Sequence, residues 1–347
     1  MAAKRPLAVA EPTLDAKVAF LREASSYPEP TYRVEALETH MSWVFLIDGF
    51  VYKLKRPVSF ELLDFRTLRA RRHYCQEEVR LNLRLAPDVY LGLVPLTIDR
   101  RGHLALGGLG EVVDWLVRMR RLPAEQMLDY VLQHGGLDEA DLERLARHLA
   151  AFYSSLPSEP LTAPRYRMRC LRRVLAATRE LSREGFDLPQ AQLRSVCEAQ
   201  CAAFQHIGAL LDERVRRGRI VEGHGDLRPE HVYLGVPLAI IDCLEFSREL
   251  SVADAADELA FLALECERIG VPAPGIALMQ AYGRLTGDVA PPPLVHFYQS
   301  CRASTRAMIA ARHLLDNKFR HSPHWWRRAS QYLELAERHI GACQALH

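Results

Sequence analysis

The octet His224-Gly225-Asp226-Leu227-Arg228-Pro229-Glu230-His231 constrains this chain more than any other stretch. A short apolar run, Val232-Tyr233-Leu234, follows it. The turn Gly235-Val236-Pro237 then leads into a second run from Leu238 to Ile241 that delivers Asp242. The pattern predicts a polar loop carrying one carboxylate, then two short strands, the second ending in another carboxylate. Turn chemistry explains an isolated Gly or Asp. It does not explain the ordered set, with a basic residue, a proline and a glutamate inside the loop.

Phosphoryl transfer uses two carboxylates in this way: one orients the attacking hydroxyl, the other holds Mg2+ against nucleotide phosphates. The octet and the following Ile241-Asp242 resemble the catalytic loop of the aminoglycoside phosphotransferase family, whose usual form is H-G-D-L-H-x-x-N followed by I-D. The octet is also similar to the protein-kinase loop H-R-D-L-K-P-E-N. The resemblance implies that Asp226 orients the acceptor hydroxyl and accepts its proton, and that Asp242 binds Mg2+. It implies that Arg228, where kinases carry a lysine, reaches the γ-phosphate. The chain departs from the family at His231, which occupies the position of a metal-binding Asn. Mg2+ prefers oxygen ligands and imidazole suits softer metals. His231 therefore leaves three expectations open: a metal held by Asp242 alone, a site that tolerates Mn2+ with His231 as ligand, or a nucleotide-binding pseudokinase without activity.

Upstream, the period of apolar residues is two from Tyr32 onward, with strands expected over Arg33–Glu38, Trp43–Ile47 and Phe50–Lys55. Asp48-Gly49 between the last two is a strong hairpin signal. Counting pairs outward from that turn sets Leu46 opposite Val51, Val44 opposite Lys53 and Ser42 opposite Lys55, and paired residues share a face. One face then carries Val44, Leu46, Val51, Lys53 and Lys55, and the other carries Trp43, Phe45, Ile47, Phe50, Tyr52 and Leu54. The bulky face must be packed, and the leaner one is left to roof a nucleotide. Lys53 and Lys55 are both candidates for a phosphate-binding lysine, with Lys53 deeper in the strand and closer to the family pattern. Thr39-His40-Met41-Ser42 is the loop expected to cross the phosphates, Ser42 by its hydroxyl, although it lacks a glycine-rich sequence.

A helix is expected from Thr67 to Leu85, with Glu77 and Glu78 placed to hold the strand lysine and Glu78 the better match. Strands follow near Val89–Leu96, Leu104–Leu106 and Glu111–Met119. By the resemblance, the crossover Met119-Arg120-Arg121-Leu122-Pro123 is the hinge whose backbone at Met119 and Leu122 binds adenine. Beyond it the chain reads as helical, with Leu142, Leu145, Leu149 and Phe152 at core-facing spacing. Asp257 matches a family residue that braces the catalytic loop. Arg302 and Arg306, four apart on one helix, read either as an internal ion pair or as a clamp for a substrate carboxylate or phosphate.

The fold class expected is α+β, a bilobal protein-kinase-like fold with a small antiparallel β lobe over residues 1–122 and a larger, mainly helical lobe over 123–347. At 347 residues the length suits two lobes. A net charge of +2 gives no argument for nucleic acid or membrane, and the basic runs Arg165–Arg173 and Arg214–Arg219 read as solvated helix faces. Most of the eight cysteines lie in apolar or helical stretches, as buried thiols of a reducing compartment do. Cys197, Cys201 and His206, like His321 and His324, lack the ligand pairs of a zinc site. The apolar stretch Pro6–Ala10 is too short for a signal peptide, which leaves a cytoplasmic protein as the expectation. No P-loop motif occurs. The expected reaction is transfer of the γ-phosphoryl group of ATP, with Mg2+, to a hydroxyl of a small molecule.

Overall fold

The computed structural model describes residues 11–60, 63–183, 185–315 and 322–346. The N-terminal stretch 1–10 and His321 lie outside them. The chain divides into two compact units, 1–126 with 235–249, and 127–234 with 250–347.

The first unit opens with α1 (Leu14–Leu21), whose N-terminus is capped by the Thr13 hydroxyl accepting from the Ala16 amide. The strands β1 (Glu35–Glu38), β2 (Ser42–Leu46) and β3 (Phe50–Lys55) follow, then a small pair, β4 (Ser59–Phe60) and β5 (Leu63–Asp64). Helix α2 (Leu68–Asn82) begins at the Thr67 cap. Next come β6 (Tyr90–Ile98), β7 (Leu104–Leu106) and β8 (Glu111–Arg120), and one antiparallel sheet runs in the order β1-β2-β3-β8-β6-β7. The β2–β3 register is the one counted from Asp48-Gly49, with Ser42 opposite Lys55, Val44 opposite Lys53 and Leu46 opposite Val51. The bulky face is the buried one: Phe45, Ile47, Tyr52 and Leu54 pack with Val18 and Leu21 of α1, Tyr27 and Leu116. Both helices are tied to β8 through Asp114, which accepts from Lys17 of α1 at 2.8 Å and from Arg71 of α2 at 2.7 Å.

The second unit holds α3 (Leu128–Gln133), α4 (Glu139–Ser155), α5 (Ala163–Leu181), α6 (Gln190–Arg216), β9 (Ile220–Glu222) and β10 (Val232–Tyr233). The strand β11 (Ala239–Ile240) belongs to the first unit. After α7 (Arg248–Ser251) the second unit resumes with β12 (Val252–Asp254), which pairs antiparallel with β9, and with α8 (Ala255–Arg268), α9 (Pro272–Thr286), α10 (Pro292–His313) and α11 (Pro323–Ala345). Asp254 caps α8 through the Ala256 amide and receives a two-pronged contact from the buried Arg214 at 2.7 Å. Its helices close over two apolar clusters, one around Phe261, Tyr332 and Leu333, the other around Ile207, Phe297 and Ile340.

The division differs from a boundary after Leu122. The segment 235–249, read from sequence with the second lobe, belongs to the first unit and has backbone partners there. The Ile240 amide donates to the Leu85 carbonyl, and the Cys243 amide to Asn82 Oδ1.

Candidate functional site

In the first unit, strand β3 presents two lysines on the same side, two residues apart, as strand alternation requires. Lys53 Nζ lies 2.9 Å from Glu78 Oε1 and 2.9 Å from Asp242 Oδ1. Lys55 Nζ lies 2.7 Å from the other Glu78 oxygen and 2.5 Å from Glu245 Oε1, over the ring of Phe65. A single buried carboxylate therefore bridges both ammonium groups. Burial pushes the Lys53 pKa down, but the carboxylates of Asp242, Glu78 and Glu245 outweigh it and hold Lys53 well above its ordinary value. Burial likewise pushes Glu78 up, and the two lysines reverse the sign and keep it ionised. Lys55 is enclosed, with its side chain 1% exposed, whereas Lys53 retains 17% and shares its charge with Asp242. Glu77 instead pairs with Arg80 at the surface.

Asp242 sits at φ +64°, a left-handed conformation that few residues other than glycine adopt and that is typical of functional sites. Its position is over-determined. Its amide donates to the Tyr90 hydroxyl at 3.1 Å, and the next amide, of Cys243, donates to Asn82 Oδ1 at 2.9 Å. Asn82 in turn donates to the Glu78 carbonyl, so α2 fixes both the lysine partner and the Asp242 segment. Ser42 lies buried on the lysine face at the start of β2, its amide bonded to the Thr39 hydroxyl. Met119 is paired with Val51 on that face, and Leu122 lies just past the end of β8, half-buried.

In the second unit the octet forms a tight loop. The Arg228 Nε donates to Asp226 Oδ2 at 2.9 Å, Arg228 Nη1 pairs with Glu230, and Arg306 Nη1 lies 3.8 Å from Asp226 Oδ1. Burial pushes the Asp226 carboxyl up, yet the guanidiniums of Arg228 and Arg306 hold it well below the usual carboxylate range. His231 is buried, with Nδ1 2.9 Å from the Asp226 carbonyl oxygen and Nε2 3.0 Å from Arg228 Nη2. Because a guanidinium only donates, the tautomer that satisfies both contacts has Nδ1–H donating to the carbonyl and Nε2 accepting.

Two acidic residues at the start of α8 hold the loop from behind. Glu258 accepts the amides of His224 and Gly225, at 2.9 and 2.5 Å, and the Tyr153 hydroxyl at 2.5 Å. A β-carbon on Gly223 would collide with both carboxylate oxygens of Glu258, so this close approach requires glycine. Asp257 is gripped by Arg302 at 2.9 and 3.0 Å, and Arg302 Nη1 donates to the Gly225 carbonyl at 2.9 Å. Arg302 is thus an internal ion pair and not part of a clamp with Arg306. Glu245, Tyr90 and Glu258 escaped the sequence reading as members of these clusters, and Arg306 was read there without its partner Asp226. The only sequence hint was the position of Glu245 three residues after Asp242.

The donor chemistry suits a Mg2+ ion delivered with nucleotide phosphates, which needs just one or two protein carboxylates. Asp242 offers such an oxygen on a side chain 45% exposed. His231 does not fit, since both ring nitrogens serve the loop. Among the described residues, no group of three or more His, Cys, Asp and Glu is arranged to hold a metal by itself.

Comparison with known proteins places this geometry on a known scaffold. No family model matches the chain. Uncharacterised proteins of Mycobacterium tuberculosis and Mycobacterium bovis are 31% identical over 289 residues, which is 80% of this chain and 54% of theirs. The chain thus spans about half the length of these curated relatives. Among solved structures, the GDP complex of wild-type aminoglycoside 2'-phosphotransferase-IIIa superposes with a TM-score of 0.51 at 16% identity, covering 90% of this chain and 93% of that one. A choline/ethanolamine kinase family protein from Mesorhizobium loti gives 0.52 at 15% identity, covering 95% and 99%. The fold is therefore the bilobal protein-kinase-like fold shared by aminoglycoside phosphotransferases and choline/ethanolamine kinases. No helix among the described residues is long and apolar enough to cross a membrane.

Proposed function

We propose that this protein is an ATP-dependent phosphotransferase that moves the γ-phosphoryl group to a hydroxyl of a small molecule. The observation that carries the reading is Lys53, held between Glu78 and a backbone-strained Asp242. An ammonium kept charged beside an accessible carboxylate is a ready partner for nucleotide phosphates and their metal. In this assignment Lys53 binds the phosphates, Glu78 positions it, and Asp242 is the protein's ligand to Mg2+. The backbone of Met119 and Leu122 receives the adenine, and Ser42 contacts phosphate. When bound, Mg2+ neutralises charge on the phosphates.

Asp226 and Arg228 serve the acceptor. An Asp226 carboxyl held so far below its usual range is a poor base at neutral pH. Its work is to orient the hydroxyl and to take the proton late, which suits a loose phosphoryl-transfer transition state. Arg228 stabilises the charge of the transferring group, and His231 braces the loop through Asp226 and Arg228. One solved neighbour of the same fold, aminoglycoside 2'-phosphotransferase-IIIa, is a GDP complex, which supports nucleotide binding. A cytoplasmic location goes with this reading, because the nucleotide is found there.

A second reading, a pseudokinase that binds nucleotide without turnover, draws on His231, whose nitrogens serve the loop where the family pattern has a metal ligand. The test is ADP release from ATP and Mg2+ over a panel of hydroxylated metabolites, comparing wild type with Asp226→Asn and Asp242→Ala. Phosphorylated product that disappears in Asp226→Asn upholds the enzyme. ATP binding with no product from any acceptor, under either Mg2+ or Mn2+, favours the pseudokinase.

A further inference from the structure

A cavity of about 260 Å3 opens in the second unit beside the octet, lined by side chains of the loop, α10 and α11. Among the described lining residues, three are arginines, Arg228, Arg306 and Arg328, joined by His313 and His324, and none is a carboxylate. Asp226 touches the cavity's edge through Arg228 and Arg306, both of which contact its oxygens. The two carboxylates nearest these arginines in the loop, Asp226 and Glu230, are already engaged by Arg228. Arg328 has no carboxylate within ion-pair distance among the described residues, and its guanidinium lies 5.7 Å from the Tyr332 ring centroid, as that of Arg306 does at 5.9 Å. The aromatic side of the wall is rigid: Trp325 stacks on His313 at 3.5 Å and 10°, while the Tyr332 hydroxyl is tied to Glu265.

From this geometry we infer that the acceptor is a small hydroxyl compound bearing an oxyanion, a phosphate or a carboxylate, which Arg306 and Arg328 bind while its hydroxyl meets Asp226. The inference rests on the phosphotransferase reading and names the substrate class of that site. A single phosphoryl group in transfer is served by one guanidinium, Arg228, and the other two are surplus to it. A cationic acceptor would bring like charge against three guanidiniums in a site whose described lining holds no carboxylate, which is strongly unfavourable. The aromatic wall suits the C–H face of a short polyol lying across Trp325. The volume is just below the roughly 300–1,000 Å3 of pockets that take larger ligands, which limits the acceptor to a few carbons.

The test uses the full chain and paired probes: glycerol 3-phosphate, glycerate and glycerol, then glucose 6-phosphate, gluconate and glucose, with choline and kanamycin as cations. Each is titrated calorimetrically without nucleotide and then offered as acceptor with ATP and Mg2+. The anionic members should bind and the neutral and cationic ones should not, and the stronger anion arm separates phosphate from carboxylate. Arg328→Gln should weaken anion binding about tenfold or more, the weight of a charge-assisted hydrogen bond. Arg328→Lys should restore part of it, the exposed Arg327→Gln should change nothing, and the Kd for ATP should stay put. Turnover of choline or kanamycin, anion affinity unchanged in Arg328→Gln, no distinction between anions and their neutral partners, or a raised Kd for ATP in that variant each overturns the inference. Anion binding that depends on Arg328 but yields no phosphorylated product upholds the anion site and counts against phosphotransfer instead.

Discussion

Arg302 holds both carboxylate oxygens of Asp257, at 2.9 and 3.0 Å, and donates with its remaining terminal nitrogen to the carbonyl of Gly225, the residue before Asp226. One buried side chain therefore couples the first turn of α8 to the backbone that aims the proposed orienting carboxylate. Lysine cannot reproduce this fork. Arg302→Lys keeps the charge but loses the fork, so it should lower stability by roughly 1–3 kcal/mol, the cost of buried polar groups left unsatisfied, and should lower kcat more than it raises KM for ATP. Urea denaturation and steady-state kinetics check both, and wild-type kcat in a folded Arg302→Lys protein would show that the brace does not aim Asp226.

The two strand lysines should separate by phenotype. Lys55→Ala strands Glu245 in a buried site and leaves Glu78 with Lys53 alone, so its effect falls on stability, by about 3–5 kcal/mol. Lys53→Ala leaves Glu78 with Lys55 and should raise the Kd for ATP strongly while costing less stability. Thermal denaturation alongside nucleotide titration reads the two quantities. The assignment fails if Lys55→Ala is the variant that loses ATP while keeping its melting temperature.

Part of this site was legible in the sequence because its information is local. Asp48-Gly49 sets the register of β2 and β3, and register places Lys53, Lys55, Val44 and Ser42 on one face before any packing is known. The octet was legible for the same reason. Contacts between distant positions were not. Glu258 lies 33 residues from Gly225 and Arg306 meets Asp226 across eighty positions, and nothing in their own neighbourhoods marks them as partners. Glu78 was preferred over Glu77 on helix pattern; Glu78 is buried against the two lysines, and Glu77, part-buried, pairs with Arg80. The sequence reading treated Arg302 and Arg306 as a pair because they are four apart. Tertiary partners divide them, Asp257 taking one and Asp226 facing the other.

Gly223 supplies a test of the loop's rear support. Alanine there would push into the Glu258 carboxylate that accepts the amides of His224 and Gly225. Gly223→Ala should cost about 1–3 kcal/mol, as overpacking does, and should reduce turnover because the loop must shift. Hydrogen exchange at the His224 and Gly225 amides should speed up in the variant. Unchanged exchange would mean that Glu258 is not their principal acceptor.

Asp226 makes a signed prediction about pH. Its carboxyl is held below its ordinary value of about 3.9 in the folded protein. A depressed native pKa adds stability that is fully present above the unfolded pKa and is lost as pH falls through the folded one. The stability advantage of wild type over Asp226→Asn should therefore be constant near neutrality and shrink below about pH 4. Denaturation midpoints measured across that range test it, and an advantage that grows on acidification would reverse the sign of the shift. For the same reason Asp226 should contribute no acid limb to the pH–rate profile above about pH 5.

His231 decides what the metal position has become. Its Nδ1–H donates to the Asp226 carbonyl and its Nε2 accepts from Arg228, so a metal could take Nε2 only by displacing a guanidinium. We assign His231 to the loop's hydrogen bonding and the metal to Asp242. His231→Ala should then lower kcat several-fold, as the support of Arg228 is lost, and leave the ratio of Mg2+ to Mn2+ activity unchanged. His231→Asn should do otherwise: its amide oxygen suits Mg2+, and as a ligand it should shift the ratio toward Mg2+. The measurement is turnover under each metal for wild type and both variants. A metal ratio that changes in His231→Ala would put an imidazole nitrogen back on the metal and make the loop geometry seen here a nucleotide-free arrangement.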